Sequence, residues 1–135
     1  GEGAWRQTPA GPQRLRLTPA DATAEMSGSL GPRTAERLHR KRLAGLAEAP
    51  GRFVRLGSTG REYMELATGA LEFAQYHGLK PWDHAAGVLV HREAGGFSLL
   101  RERRYPYRPE PAIVAATLLL APGEAAWYSL DAMLD

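Results

Sequence analysis

The run from Pro81 to Gly96 constrains the fold of this chain more than any other segment. Pro81 sits where its missing N–H costs little, at the entry to a helix. Asp83 follows in the first turn, where free N–H groups and the helix dipole favour an anion. Trp82, Ala85, Ala86, Leu89, Val90 and Glu93 then fall on one broad stripe of a helix spanning Trp82 to Glu93. The small residues Ala85, Ala86 and Gly87 let that helix backbone approach another element closely. Gly95-Gly96 ends the helix and opens a strand over Phe97 to Leu100.

The rest of the chain alternates in the same way. Ala4-Trp5-Arg6 and Leu15-Arg16-Leu17 flank a turn region with Pro9, Gly11 and Pro12, which predicts a hairpin. Thr23 to Ser29 reads as a strand. Pro32 to Ala47 reads as a helix with Ala35, Leu38, Leu43, Leu46 and Ala47 at helical spacing, stopped by Pro50-Gly51. Phe53 to Leu56 reads as a short strand. Gly57-Ser58-Thr59 then opens a helix that ends near Thr68 with Gly69 as terminator. In this second helix Tyr63, Leu66, Ala67 and Ala70 make the apolar face, and Ser58 or Thr59 is the N-cap. Leu71 to Tyr76 is a strand, and Gly78 to Pro81 turns into the helix described first. Arg101 to Pro111 is a polar loop or hairpin tip, Ile113 to Leu120 a buried strand, and Glu124 to Leu134 a closing helix with Ala126, Leu130 and Met133 inward. Strands first, then helices alternating with strands, predict an α/β domain of layered form, with a mixed β-sheet and flanking helices.

The 135 residues suffice for one domain, which would remove roughly two thirds of the unfolded surface from water. With no Cys, disulfides and thiolate metal sites are excluded. No segment offers the ~20 apolar residues that span a bilayer, and no apolar run stands behind basic residues at the start as in a signal peptide. No membrane association and a cytoplasmic location are therefore the expectation. Net charge is only +2. Basic residues crowd into Arg33–Arg42 and Arg101–Arg108. They read as solvated surface, because a nucleic-acid patch needs a larger charge excess and exposed aromatics, for which Tyr105 and Tyr107 are the only candidates.

The chemistry-bearing residues are few. Asp83 is a carboxylate on a rigidly packed helix start, as a hard-cation ligand must be. Gly57-Ser58-Thr59 is a strand-to-helix turn whose free N–H groups and hydroxyls suit an anion or a polyhydroxylated ligand. His84 and His91 lie seven apart, two turns along one helix face, too far apart to share a metal without a third element. His77 reads as structural. No nucleophile–His–Asp arrangement and no phosphate-binding P-loop is present, so no catalytic residue is assigned.

Taken together, Gly57-Ser58-Thr59, Ala67-Thr68-Gly69, Trp82 to Gly87 and Glu93 to Gly96 resemble, in order and spacing, the C-terminal half of the inositol monophosphatase family. Gly3-Ala4-Trp5 is similar to the family's Gly-Ala-aromatic before a hairpin. The resemblance implies a magnesium-dependent, lithium-sensitive hydrolase of phosphate monoesters that uses metal-activated water. It implies that Asp83 is a ligand to one Mg²⁺ and that Gly57, Ser58 and Thr59 contact sugar or inositol hydroxyls. It implies a fold like that family's C-terminal domain. At the position where inositol-specific members often carry a substrate-contacting Glu, this chain has Tyr76. His91 replaces an apolar residue and reads as surface variation.

The family's other metal ligands lie in an upstream Gly-Glu-Glu and an Asp-Pro-x-Asp-Gly-Thr segment, and neither occurs here. Asp21, Asp131 and Asp135 are scattered, and Glu102 and Glu110 sit in a loop. One carboxylate holds Mg²⁺ poorly, because the ion gives up its waters reluctantly. The expectation is therefore a single C-terminal α/β domain over residues 1–135, without the N-terminal metal-binding half and inactive alone. Its partners would be a small phosphorylated metabolite (an inositol, sugar or nucleotide phosphate) and further copies of itself, through apolar surface left uncovered. The alternative is a non-catalytic binding or assembly module derived from the same fold.

Overall fold

The computed structural model describes residues 1–19, 25–45 and 50–135. Strands β1 (Ala4–Thr8) and β2 (Gly11–Leu15) form the expected hairpin, with Ala4 opposite Leu15 and Thr8 opposite Gly11. A separate five-stranded sheet has the order β4-β3-β5-β7-β6. Its strands are β3 (Ser27–Ser29), β4 (Arg52–Phe53), β5 (Phe73–Leu79), β6 (Phe97–Leu100) and β7 (Val114–Ala121). β4, β3 and β5 run parallel, and β7 runs antiparallel to both β5 and β6. The helices are α1 (Pro32–Leu43), α2 (Thr59–Thr68), α3 (Pro81–Glu93) and α4 (Glu124–Leu134). The mixed α/β architecture is the one the residue pattern predicts.

Side-chain alternation along the central strands divides the core in two. Phe73 and Leu119 point to the face covered by α1 and α4, where they meet Leu38, Trp127, Leu130 and Leu134. Their neighbours Ala74, Leu118 and Leu120 point to the opposite face and meet Tyr63, Leu66 and Val88 of α2 and α3. The first half of β5 and the second half of β7 are thus buried on both faces. Each fully buried Leu contributes about 1.5–3 kcal/mol. Trp127, fully buried, donates its indole N–H to the Leu119 carbonyl at 2.8 Å, which satisfies its one polar atom. The hairpin packs elsewhere. Ala4 meets Ala67 and Ala94 at the C-terminal ends of α2 and α3, the Leu17 N–H donates to the Ala94 carbonyl at 2.7 Å, and the Gly3 N–H donates to Glu93 at 3.0 Å.

Several boundaries differ from the sequence reading. Helix α1 stops at Leu43, itself exposed, and positions 46–49, including Leu46 and Ala47, lie outside the described residues, as do Asp21 and Thr23. The strand expected over Phe53 to Leu56 is only Arg52–Phe53, because β4 pairs on one side alone with the three-residue β3. Strand β5 runs on through Leu79, and an irregularity at Gly78 carries it there. In α4 the inward face includes Trp127 and Asp131, which the apolar count had missed.

The larger correction concerns α3. Its broad stripe lies mostly on the outside: Trp82 is 71% exposed, Leu89 47% and Val90 42%. The buried side carries His84, Val88 and His91 instead. His91 is not surface variation. It is wholly buried, neither ring nitrogen has a hydrogen-bond partner, and its ring lies where a side chain at position 96 would otherwise be, so Gly96 is required there. Burial pushes its pKa from 6.5 down to about 4. The folded state therefore holds His91 neutral through a range in which the unfolded chain takes up a proton.

A Cβ at Gly87 would overlap the Tyr63 ring, so Gly87→Ala should destabilise the chain by about 1–3 kcal/mol, read as a lower thermal midpoint. For His91 the unfolded state binds the extra proton between pH 6.5 and 4, so stability should fall as the pH drops through that window, by roughly 3 kcal/mol in all. A urea titration series from pH 7 to 4 should show this slope. His91→Met, which is apolar and adaptable, should be at least as stable at pH 7 and should lose this part of the acid sensitivity.

Candidate active-site wall

The candidate residues sit at the N-terminal ends of two neighbouring helices. Gly57, with φ of 72°, takes a left-handed conformation open to Gly at no cost and turns the chain into α2. Of the two expected N-cap candidates, Ser58 and Thr59, Ser58 takes the position, and its Oγ accepts from the Arg61 N–H at 3.3 Å. Gly69 at φ of 81° caps the far end. Asp83 is in the first turn of α3, which starts at Pro81 after an extended Lys80.

Gly57, Ser58 and Thr59 line the wall of a cavity of about 390 Å³, together with Tyr76 and His77 of β5. Asp83 does not line that cavity. It is exposed and borders an adjoining groove of about 280 Å³, between Gly60, Tyr63 and Met64 of α2 and Trp82, Ala86, Gly87 and Val90 of α3. Gly60, one residue beyond Thr59, is in contact with this groove, so the two sites flank the first turn of α2. The structure thus brings Asp83 to the same end of the helix pair as Gly57-Ser58-Thr59, without placing all four in one pocket.

Between the two sites lies a buried aromatic and polar cluster. The rings of Tyr63, Tyr76 and His84 pack with centroids 5.0–5.8 Å apart. Tyr63 Oη is 2.9 Å from His84 Nδ1 in a buried hydrogen bond. Tyr76 Oη donates to Glu62 Oε1 at 3.5 Å. Burial raises the pKa of both tyrosines, and the nearby Glu62 carboxylate adds to it, so both stay protonated. Burial also lowers His84, which the neighbouring Asp83 partly opposes. The ring of Tyr76 therefore stands in the cavity wall as a neutral aromatic.

The sequence reading missed Glu62, which is only 5% exposed and lines the same cavity. It lies four residues before the buried Leu66, on the same side of α2. Arg55 and Gln75, which the sequence reading placed in strands without a role at the site, also line the cavity. His77 Nδ1 pairs with Thr117 Oγ1 at 3.1 Å, in keeping with a structural role. Among the described residues no group of three or more His, Asp and Glu could hold a metal ion.

In the second basic run Arg103, Arg104 and Arg108 are exposed, in line with the surface reading, while Arg101 is half-buried. Arg101 donates to Asp131 at 2.6 Å, to Gln75 at 3.2 Å and to Asp135 at 2.6 Å. Arg104 pairs with the same buried Asp131 at 2.6 Å and lies over the Trp127 and Tyr128 rings. Tyr107 is buried. Asp131 and Asp135, scattered in sequence, thus converge as partners of arginine, and one of the two aromatics a nucleic-acid patch needed is inside.

Comparison with known proteins decides the family. A model of the inositol monophosphatase family matches residues 1–131. The chain belongs to the inositol monophosphatase family. An inositol-1-monophosphatase of Synechocystis sp. is 43% identical over 42 residues, which is 31% of this chain and 15% of that protein. The structure of Mycobacterium tuberculosis SuhB superposes with a TM-score of 0.67 at 25% identity, covering 98% of this chain and 49% of that one. That of SaIMPase-II bound to inositol monophosphate gives a TM-score of 0.68 at 20% identity, with coverage of 98% and 49%. This inositol monophosphatase-family chain therefore spans about half the length of the solved structures it matches, and its fold is theirs over that half. Among the described residues, no helix is long and apolar enough to cross a membrane.

Proposed function

We propose that this chain is the C-terminal portion of a magnesium-dependent cytoplasmic hydrolase of small phosphate monoesters, and that it supplies the substrate-side wall of the active site and one metal ligand. The observation that carries this reading is the arrangement at the first turn of α2. Gly57, Ser58 and Thr59 form one wall of the main cavity, and the exposed Asp83 stands on the other side of the same turn. Membership of the family supports it, as does a similar fold that holds inositol monophosphate in SaIMPase-II. The substrate would be an inositol, sugar or nucleotide phosphate, with phosphate and hydroxyls met by N–H groups and the hydroxyls of Ser58 and Thr59. Asp83 would be one ligand of the cation, with the remaining carboxylates coming from outside these residues. A non-catalytic binding module has no observation in its favour.

Phosphate release from a panel of small monoesters, with and without Mg²⁺, tests this directly. The expected result is no turnover above background by this chain alone. Magnesium-dependent turnover that disappears in Asp83→Asn would mean that other carboxylates complete the site and would overturn the incomplete-site reading.

The same reading makes a prediction about association. Met64 and Trp82, each 71% exposed, lie with Val90 along one groove, and Leu89 lies beside them. An apolar surface of this kind drives self-association. Light scattering at increasing concentration should show dimers or larger species, and Leu89→Glu with Val90→Glu should shift the population to monomer. A wild-type chain that stays monomeric at high concentration would count against it.

A further inference from the structure

The main cavity contains a carboxylate with almost nothing to bind. Glu62 is 95% buried by its 5% exposure, and it lines the cavity wall beside Tyr76. A carboxylate offers about four lone-pair positions. Tyr76 Oη occupies one of them at 3.5 Å, the outer limit of a hydrogen bond. Among the described residues no Arg, Lys or His pairs with Glu62 within 4.0 Å. A buried anion left in this state is costly unless donors complete its shell.

We infer that Glu62 is a specificity-determining residue that accepts hydrogen bonds from a pair of neighbouring hydroxyls on the ligand. This rests on the reading of the cavity as a substrate wall and names the feature of the substrate that it selects. Two adjacent hydroxyls can donate to the two oxygens of one carboxylate, which suits a polyol ring or a ribose. An ammonium-bearing ligand fits less well, because Arg55 places a cation in the same wall. The hydroxyl of Ser58 and the amide of Gln75, which also line the cavity, can both give and accept, and so complement further hydroxyls. Tyr76 acts as a positioning residue: its phenol directs Glu62 while its ring forms the aromatic side of the wall. Position 76 itself offers no carboxylate, so α2 supplies to this cavity the anion that β5 does not.

Two probes that differ only in their hydroxyls test this: myo-inositol 1-phosphate and cyclohexyl phosphate, each titrated into the full chain and followed by amide chemical shifts. Wild type should bind the inositol phosphate about tenfold or more tightly than cyclohexyl phosphate. Glu62→Gln should abolish that preference by weakening inositol phosphate alone. Tyr76→Phe, which keeps the carboxylate but removes the hydroxyl that directs it, should narrow the preference without abolishing it. An unchanged amide spectrum of the free variants shows that each is folded. Equal weakening of both probes in Glu62→Gln, or an unchanged preference, overturns the assignment. Wild-type binding of both probes with equal affinity overturns it too, while leaving the substrate-wall reading in place. Binding of neither probe overturns both.

Discussion

The contact between α3 and the Tyr63 ring of α2 sets the geometry of everything around the site. Position 87 faces that ring so closely that a single methyl group would overlap it. The absence of a side chain there lets the two helices lie together over β5 and β7. Three consequences follow. The Tyr63 hydroxyl comes within 2.9 Å of His84 Nδ1. The rings of Tyr63, Tyr76 and His84 close into one packed cluster. The first turns of α2 and α3 end at one place, so that Thr59 and Asp83 flank the same stretch of backbone. Packing densities in protein interiors leave little slack for such an arrangement, which makes the site as rigid as the helix pair beneath it.

Helix α3 reverses the usual distribution of polarity. Its buried side holds two histidines, and its outer side holds Trp82, Leu89 and Val90. His84 is tolerable inside because Tyr63 satisfies one of its nitrogens. His91 has no such partner and remains uncharged by virtue of burial alone. On the proposed reading that outer side would be covered by a further layer. The hairpin is held by this chain's own helices: a two-stranded ribbon is marginal alone, and here it is fixed through Ala4, Leu17 and the Gly3–Glu93 hydrogen bond.

Much of this was legible in the sequence, for identifiable reasons. The hairpin, β6 and α4 were marked by turn residues and by period, and the N-cap at Ser58 by the chemistry of a hydroxyl before a helix. The close approach at Gly87 could be read from a run of small residues, although not the ring it meets. What could not be read was direction. Periodicity shows that Trp82, Leu89 and Val90 share a side of α3, but not whether that side meets this chain's sheet or something else. The same limit hid Glu62, since a charged residue on an inward face looks like an interruption of the apolar pattern until a cavity appears in front of it. It also hid the Asp131–Arg101–Arg104 cluster, whose members are separated by the whole of β7 and are joined only when that strand pairs between β5 and β6.

On the proposed reading, the uncovered groove and the incomplete metal site have one cause. Asp83 is a rim residue of the groove that Met64, Trp82 and Val90 line. Whatever layer covers those side chains must therefore pass beside Asp83, and a layer carrying carboxylates at its edge would place them there without any movement of α2 or α3. Burial of the groove would exclude water from the carboxylate's surroundings and strengthen its attraction for a cation. Metal affinity and docking of the second layer would then be coupled in free energy, each strengthening the other. The substrate wall, in contrast, is already built on α2 and β5, with Glu62 held in place by Tyr76. Recognition of the ligand's hydroxyls thus belongs to this chain, while the completion of the metal site depends on contact with another layer.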